Sequence, residues 1–338
     1  MAGIAKQAGI IVSLGDINGI GLEAFLKTLL RLGKKSGSFN IGIAGNKQSI
    51  EEYISKCILD EVITVRDNFI CAGNFNIGIV ETGVYTPVEF GRESAEAGRL
   101  AVGSIEKAYE MLAAGKYGAM LTLPISKHSI HLAGCRFPGH TEMLASLCNT
   151  SNPLMILFSA KFRVALATVH VPLRDVAGLL TEELIIGKTR QFNLSLMQDF
   201  GIGQPKIAVL GLNPHAGEEG DLGSEEIAVI MPAVKSLVYQ GIDADGPFPA
   251  DGFFARKMHR QYDGVLAMYH DQGLIPLKLE ARGGVNFTAG LPVVRTSPDH
   301  GTAFAIAGKG IADESGTLNA LLAAERICKA RRRFHENI

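Results

Sequence analysis

Residues 164–215 read VALATVHVPLRDVAGLLTEELIIGKTRQFNLSLMQDFGIGQPKIAVLGLNPH. An apolar run, Val164–Val169, gives way to a long helical pattern, Thr181–Phe200, and then to a second apolar run, Lys206–Leu210. That order predicts a βαβ unit and a largely parallel sheet. Thr181 followed by Glu182 and Glu183 marks the helix start, because a hydroxyl cap and acids suit the positive end of the helix dipole. Ser224, Glu225 and Glu226 open the next helix in the same way.

The same alternation extends in both directions. Upstream, strands are expected at Ile10–Leu14, Ile41–Ala44 and Ala119–Leu123, with helices at Leu22–Leu32, Ser49–Lys56 and Gly91–Ala114. Downstream, Val265–Tyr269 and Val293–Val294 read as strands and Glu314–Arg333 as the closing helix, with Lys329, Arg331, Arg332 and Arg333 suiting its negative end. Gly241–Gly252 reads as the longest structureless loop. The class is α/β. A length of 338 residues suggests two domains at roughly 150 residues each.

Charge is balanced, 33 Lys+Arg against 34 Asp+Glu, which argues against a nucleic-acid partner. The five cysteines form no CxxC, so a disulfide framework is not expected and a reducing cytoplasm fits best. No apolar run approaches the length of a membrane span, and Gly9–Leu14, cut off by Asp16, is too short for a secretory signal. The 39 glycines exceed the usual share of about 7% and imply many tight turns or close approaches of backbone to ligand.

Position makes the histidines informative. Three apolar runs lead into one: VALATVH into His170, IAVLGLNPH into His215 and VLAMYH into His270. In open α/β sheets ligands bind beyond the carboxyl ends of the strands, where residues distant in sequence converge. Three imidazoles there could hold a divalent metal, although each alone reads as well as a loop histidine bonded to backbone. A second group suits anions. His140-Thr141 follows Pro138-Gly139 and precedes a helical pattern, where unpaired N–H groups point outward. Lys278, Asn286 and Arg295 follow the third histidine run, and Arg295 ends the apolar Leu291–Val294, an unusual place for a charge. The loop Gly15–Gly21 matches neither nucleotide fingerprint and reads as a tight strand-to-helix turn.

The segments PGHTE (Pro138–Glu142), ATVHVPLRD (Ala167–Asp175), GLNPHAGE (Gly211–Glu218), AMYHDQGL (Ala267–Leu274), GVNFTAGLPVVRTSPDHGTA (Gly284–Ala303) and AGKGIAD (Ala307–Asp313) resemble the 4-hydroxythreonine-4-phosphate dehydrogenase family of pyridoxal phosphate biosynthesis. The resemblance covers nearly the whole chain. It implies an isocitrate/isopropylmalate dehydrogenase-like fold of two α/β domains around a central cleft. Residues 1–127 and 285–338 would form the terminal domain carrying much of the cofactor site. Residues 128–284 would form the central domain with the histidines and the dimer interface.

By the same resemblance, His170, His215 and His270 would be ligands of zinc, cobalt or magnesium, in a site shared between protomers of a homodimer. His140, Thr141, Lys278, Asn286 and Arg295 would contact the phosphorylated substrate. His300, Gly301, Thr302, Ala303, Gly308 and Asp313 would line NAD or NADP; Ala305-Ile306, where NADP-type relatives carry polar or basic residues, favours NAD. Lys127, Asp251 and Asp271 are candidates for the general base by position. The first loop departs from the family: LGDINGIGL (Leu14–Leu22) lacks the family's prolines but keeps an acid at Asp16 and Gly19-Ile20-Gly21. The implied activity is NAD(P)-linked oxidation of 4-phosphohydroxy-L-threonine. The alternatives are a paralogue acting on D-threonate or D-erythronate 4-phosphate, a phosphate acyltransferase of the same fold, and a two-domain binding protein.

Overall fold

In the computed structural model the described residues are 9–33, 40–57, 62–160, 162–280 and 283–336. They divide into two compact units, Met1–Ser151 with Leu291–Lys329 and Asn152–Gly290 with Ala330–Ile338. The chain opens with β1 (Ile10–Ser13), α1 (Gly21–Leu32), β2 (Ile41–Gly45) and α2 (Lys47–Lys56). Then come β3 (Ile63–Arg66), β4 (Phe69–Ala72), β5 (Phe75–Glu81), α3 (Ala95–Ala113), β6 (Ala119–Thr122), α4 (Lys127–Leu132) and α5 (His140–Leu147). The second unit holds β7 (Leu154–Phe158), β8 (Arg163–Leu166), α6 (Leu173–Leu179), α7 (Glu182–Gln198) and β9 (Lys206–Leu210). It continues with α8 (Met231–Tyr239), β10 (Asp243–Phe248), α9 (Ala250–Ala255), β11 (Gly264–Ala267), α10 (His270–Glu280) and β12 (Val285–Ala289). The chain closes with β13 (Val294–Pro298) and α11 (Ser315–Glu336).

In the first unit the strands run β13-β6-β1-β2-β5-β4-β3. Pairing is parallel from β13 to β5 and antiparallel through β5, β4 and β3. The residues of β1 and β6, IIVS and AMLT, are buried throughout, as strands covered on both faces require. By contrast β3, β4 and β5 alternate buried and exposed positions, and the expected elements omit them. Between β1 and α1, Gly15 takes φ +70 and its N–H neighbour at Asp16 donates to the Pro124 carbonyl at 2.9 Å. A Cβ on Gly15 would lie 2.5 Å from that carbonyl oxygen, so only glycine makes this turn.

In the second unit the order is β10-β9-β11-β8-β7-β12, parallel from β10 to β8 and antiparallel beyond. Thr181 caps α7 by accepting from the Leu184 N–H at 3.1 Å, and α7 buries Ile185, Phe192 and Leu196. The stretch expected to be a structureless loop, Gly241–Gly252, instead supplies β10 and the start of α9. Its Gly246-Pro247 is tolerated because β10 is an edge strand. Arg331, expected merely to suit the end of α11, donates its Nε to the buried Asp199 at 2.6 Å.

The division between units departs from the boundaries expected at 127 and 285. Met143, Leu144 and Ala145 of α5 pack with Ile105, Met111 and Met120, which draws residues 128–151 into the first unit. β12 pairs with β7, which keeps 285–290 in the second. Among the described residues no helix is long and apolar enough to cross a membrane.

Candidate active site

Strands β9, β11 and β8 are consecutive and parallel, so their carboxyl ends share one edge of the second unit. His215 follows β9, His270 opens α10 just past β11, and His170 follows β8. Two buried side chains tie these strand ends together. Thr168 donates its hydroxyl to the Met268 carbonyl at 2.7 Å. Gln272 accepts from the Met268 N–H at 2.7 Å and donates to the Gly211 carbonyl at 2.7 Å.

The rings of His170 and His270 lie with centroids 5.7 Å apart, tilted by 42° to one another. Asp271 Oδ1 lies 2.8 Å from His270 Nδ1, and Glu218 Oε2 lies 2.7 Å from His215 Nδ1. Carboxylates on Nδ1 fix the tautomer that presents Nε2 outward, the arrangement in which metal-binding imidazoles are held. The Glu218 carboxylate also raises the His215 pKa, first through the hydrogen bond and then through its charge. Among the described residues no three His, Cys, Asp or Glu side chains are placed so as to hold a metal ion together. His215 therefore does not complete a set with His170 and His270 within one chain. It lines a cavity of about 610 Å³ together with Asp251, Asp271, Tyr269, Phe254 and Ile275. Two of the base candidates, Asp251 and Asp271, are thus brought to His215. Asp271 is engaged with His270.

Asn286 on β12 has a buried Oδ1 with no partner, and Lys278 stands exposed on α10. The remaining expected substrate contacts belong to the first unit. Arg295 is the second residue of β13, at 2% exposure, its Nε and Nη2 donating to Thr122 Oγ1 at 3.0 and 2.7 Å. Burial lowers its pKa to about 10, partly offset by Glu142, so the guanidinium stays charged at neutral pH. His140 and Thr141 begin α5, whose first turn has no side-chain cap. The His140 Nε2 is buried without a partner, and burial followed by the charge of Arg295 holds the imidazole well below its usual pKa. A helix start without a side-chain cap and a buried guanidinium are groups whose chemistry suits an anion. Lys127 lies exposed at the start of α4, behind the Ser126 cap.

The expected cofactor segment is stitched to α1. The Ile20 N–H donates to the Thr302 carbonyl at 3.0 Å. Lys27 donates to the carbonyls of Gly310 and Ala312 at 2.6 and 2.9 Å, and the buried Glu23 accepts from Lys27 and from the Ala312 N–H. Ala303 is left-handed, Gly308 leaves room for the Phe90 ring, and Gly301 is open to solvent. The His300 Nδ1 approaches the Gly301 carbonyl at 3.0 Å and its Nε2 is buried. Asp313 accepts from the Ser315 N–H at 2.8 Å, which fastens the segment to α11. Glu23, Lys27, Thr122 and Glu218 are not among the expected site residues, because each reads in sequence as an ordinary helix, strand or loop residue.

The model of the family described as pyridoxal phosphate biosynthetic protein PdxA matches residues 39–324. The chain belongs to the PdxA family. The chain is 43% identical to the 4-hydroxythreonine-4-phosphate dehydrogenase of Bacteroides thetaiotaomicron over 331 residues, 95% of this chain and 89% of that one. It is 41% identical to the enzyme of the same name from a Sulfurihydrogenibium species, across 96% and 99% of the two chains. The crystal structure of 4-hydroxythreonine-4-phosphate dehydrogenase from Klebsiella pneumoniae matches with a TM-score of 0.82 at 35% identity, covering 96% of this chain and 99% of that one. This PdxA chain is accordingly an enzyme of the oxidoreductase class.

Proposed function

We propose that the chain carries out the metal-dependent, NAD(P)-linked oxidation of 4-phosphohydroxy-L-threonine. The secondary alcohol would become the ketone of 2-amino-3-oxo-4-(phosphooxy)butanoate, which loses CO2 to give 3-amino-2-oxopropyl phosphate. The observation that carries this reading is the placement of His170, His215 and His270 past three adjacent parallel strands, two of them with Nδ1 on a carboxylate.

Three neutral imidazoles suit a borderline divalent ion such as zinc or cobalt, with magnesium also to be tested. His170 and His270 would hold it from one chain and His215 from the partner in a homodimer. Such an ion supplies Lewis acidity that lowers the alcohol pKa and stabilises negative charge on oxygen. A bound nicotinamide would supply the hydride acceptor, and Ala305-Ile306 favour NAD over NADP. Asp271 orients His270, while Asp251 or Lys127 takes the hydroxyl proton. Arg295, His140 and the start of α5 bind an anionic group, phosphate or carboxylate, with Lys278 and Asn286 serving the other. The segment from His300 to Asp313, held by Glu23 and Lys27, carries the cofactor.

The test offers the enzyme 4-phosphohydroxy-L-threonine or D-threonate 4-phosphate, each with NAD and with NADP, before and after metal depletion. Reduced nicotinamide should appear with the first substrate, vanish on depletion and return with added metal. Turnover of D-threonate 4-phosphate alone would reassign the substrate, and turnover indifferent to depletion would remove the metal.

A further inference from the structure

His215 stands on an uncommon piece of backbone. From His215 to Glu219 every residue is left-handed, with φ of 53, 52, 82, 42 and 55. Four of the five are not glycine, and for them this region brings Cβ against the neighbouring carbonyl. Such a turn persists only where its surroundings fix it, and an outlier of this kind at a candidate site invites a functional explanation.

A buried carboxylate from further along the chain holds the residues that lead into this turn. Glu226 is 1% exposed, in a wide helical turn that precedes α8. Its Oε1 accepts from the N–H groups of Leu212 and Asn213, both at 2.7 Å, and its Oε2 accepts from Asn213 Nδ2 at 2.9 Å. Asn213 Nδ2 also reaches Glu225 at 2.8 Å. Two glycines leave space for the carboxylate. A Cβ on Gly217 would lie 2.7 Å from Oε2, and one on Gly211 would lie 3.0 Å from Oε1. The residues immediately before His215 and the glycine two residues after it are therefore shaped around one buried acid. Read from sequence, Glu226 is only an acid at a helix start. Its carboxylate is turned instead to the loop that carries the histidine.

We propose that Glu226 is a positioning residue for His215: by fixing the backbone at Leu212 and Asn213 it sets where the imidazole is presented. The inference rests on the reading of His215 as a metal ligand. An amide at 226 keeps the shape but has one acceptor oxygen, so its NH2 must face either the two backbone donors or Asn213 Nδ2. Removing an outer partner of this kind weakens metal binding by about 10- to 100-fold.

The test is cobalt(II) titration of the full-length protein, followed by visible ligand-field absorption, for the wild type, His215→Ala, Glu226→Gln and Asn213→Asp. Asn213→Asp keeps Glu226 but sets a second carboxylate against it. The expected result is a wild-type signal that His215→Ala abolishes. Folded Glu226→Gln should then bind about 10- to 100-fold more weakly with altered bands, and Asn213→Asp should weaken binding in the same direction. If Glu226→Gln does not fold, the Asn213→Asp titration decides. Wild-type affinity and bands in whichever of these variants folds, even with a lowered Tm, would show Glu226 to be structural only and overturn the inference alone. A wild-type signal untouched by His215→Ala, or no signal, would overturn the metal reading and the inference with it.

Discussion

Acid should destabilise the first unit through one side chain, His140, by an amount that follows from its surroundings. Burial of its ring nitrogen Nε2, and after that the charge of the buried Arg295, hold its folded-state pKa well below the ordinary imidazole value. In the unfolded chain the pKa is about 6.5. As pH falls, the unfolded chain therefore takes up this proton first. The stability tied to the neutral ring is complete above about pH 6.5 and is lost as pH drops below that, towards the folded pKa. With RT of about 0.59 kcal/mol, the penalty is at most about 0.06 kcal/mol at pH 7.5, about 0.4 at pH 6.5 and about 1.4 at pH 5.5. Urea unfolding followed by far-UV circular dichroism at these three pH values, for wild type and His140→Asn, isolates the term. The wild type should lose more than the variant between pH 7.5 and pH 5.5, by up to about 1.4 kcal/mol. Added inorganic phosphate should shrink that difference, because an anion beside the ring favours the imidazolium. Parallel pH profiles, or a His140 ring resonance titrating at or above about pH 6.5, would refute the reasoning.

Three further outcomes are expected. Arg295→Met should raise KM for the phosphorylated substrate by about 10- to 100-fold, the worth of hydrogen bonds to a charged group; unchanged KM in a folded variant would confine Arg295 to structure. His215→Ala should abolish metal-dependent turnover while Tm stays near the wild type, since the ring is exposed; retained metal-dependent turnover would remove His215 from the site. Lys27→Met leaves the fully buried Glu23 without its cation and should cost about 3–5 kcal/mol in thermal or urea unfolding. Adding Glu23→Leu should recover part of that loss, and a neutral single variant would show that the pair does not hold the 310–312 segment.

The parallel part of the fold was legible because its strands are buried on both faces and so read as unbroken apolar runs, as in β1, β6 and β9. β3 to β5 were not, since each shows a half-buried alternation diluted by Thr64, Arg66 and Asn76. β10 was hidden by Asp243, Gly246 and Pro247, residues that an edge position permits and an interior one would not. The site shows the same division between local and distant causes. Arg295 stood out because a charge follows an apolar run, and His170, His215 and His270 because all three follow strands.

Glu226 did not stand out, and the reason is physical. Its neighbours Ser224 and Glu225 form an ordinary helix opening, so the local signal is fully accounted for without it. Its significance comes from Leu212 and Asn213, whose N–H groups it satisfies across a loop. The left-handed run from His215 to Glu219 is equally invisible in sequence, where Gly217 is its one glycine. Glu226, bonded to the N–H groups of Asn213 and Leu212 thirteen and fourteen residues before it, holds the backbone that leads into that run. If so, the geometry at His215 is a tertiary property, and it should fail when Glu226 changes even though every residue of the turn itself is kept.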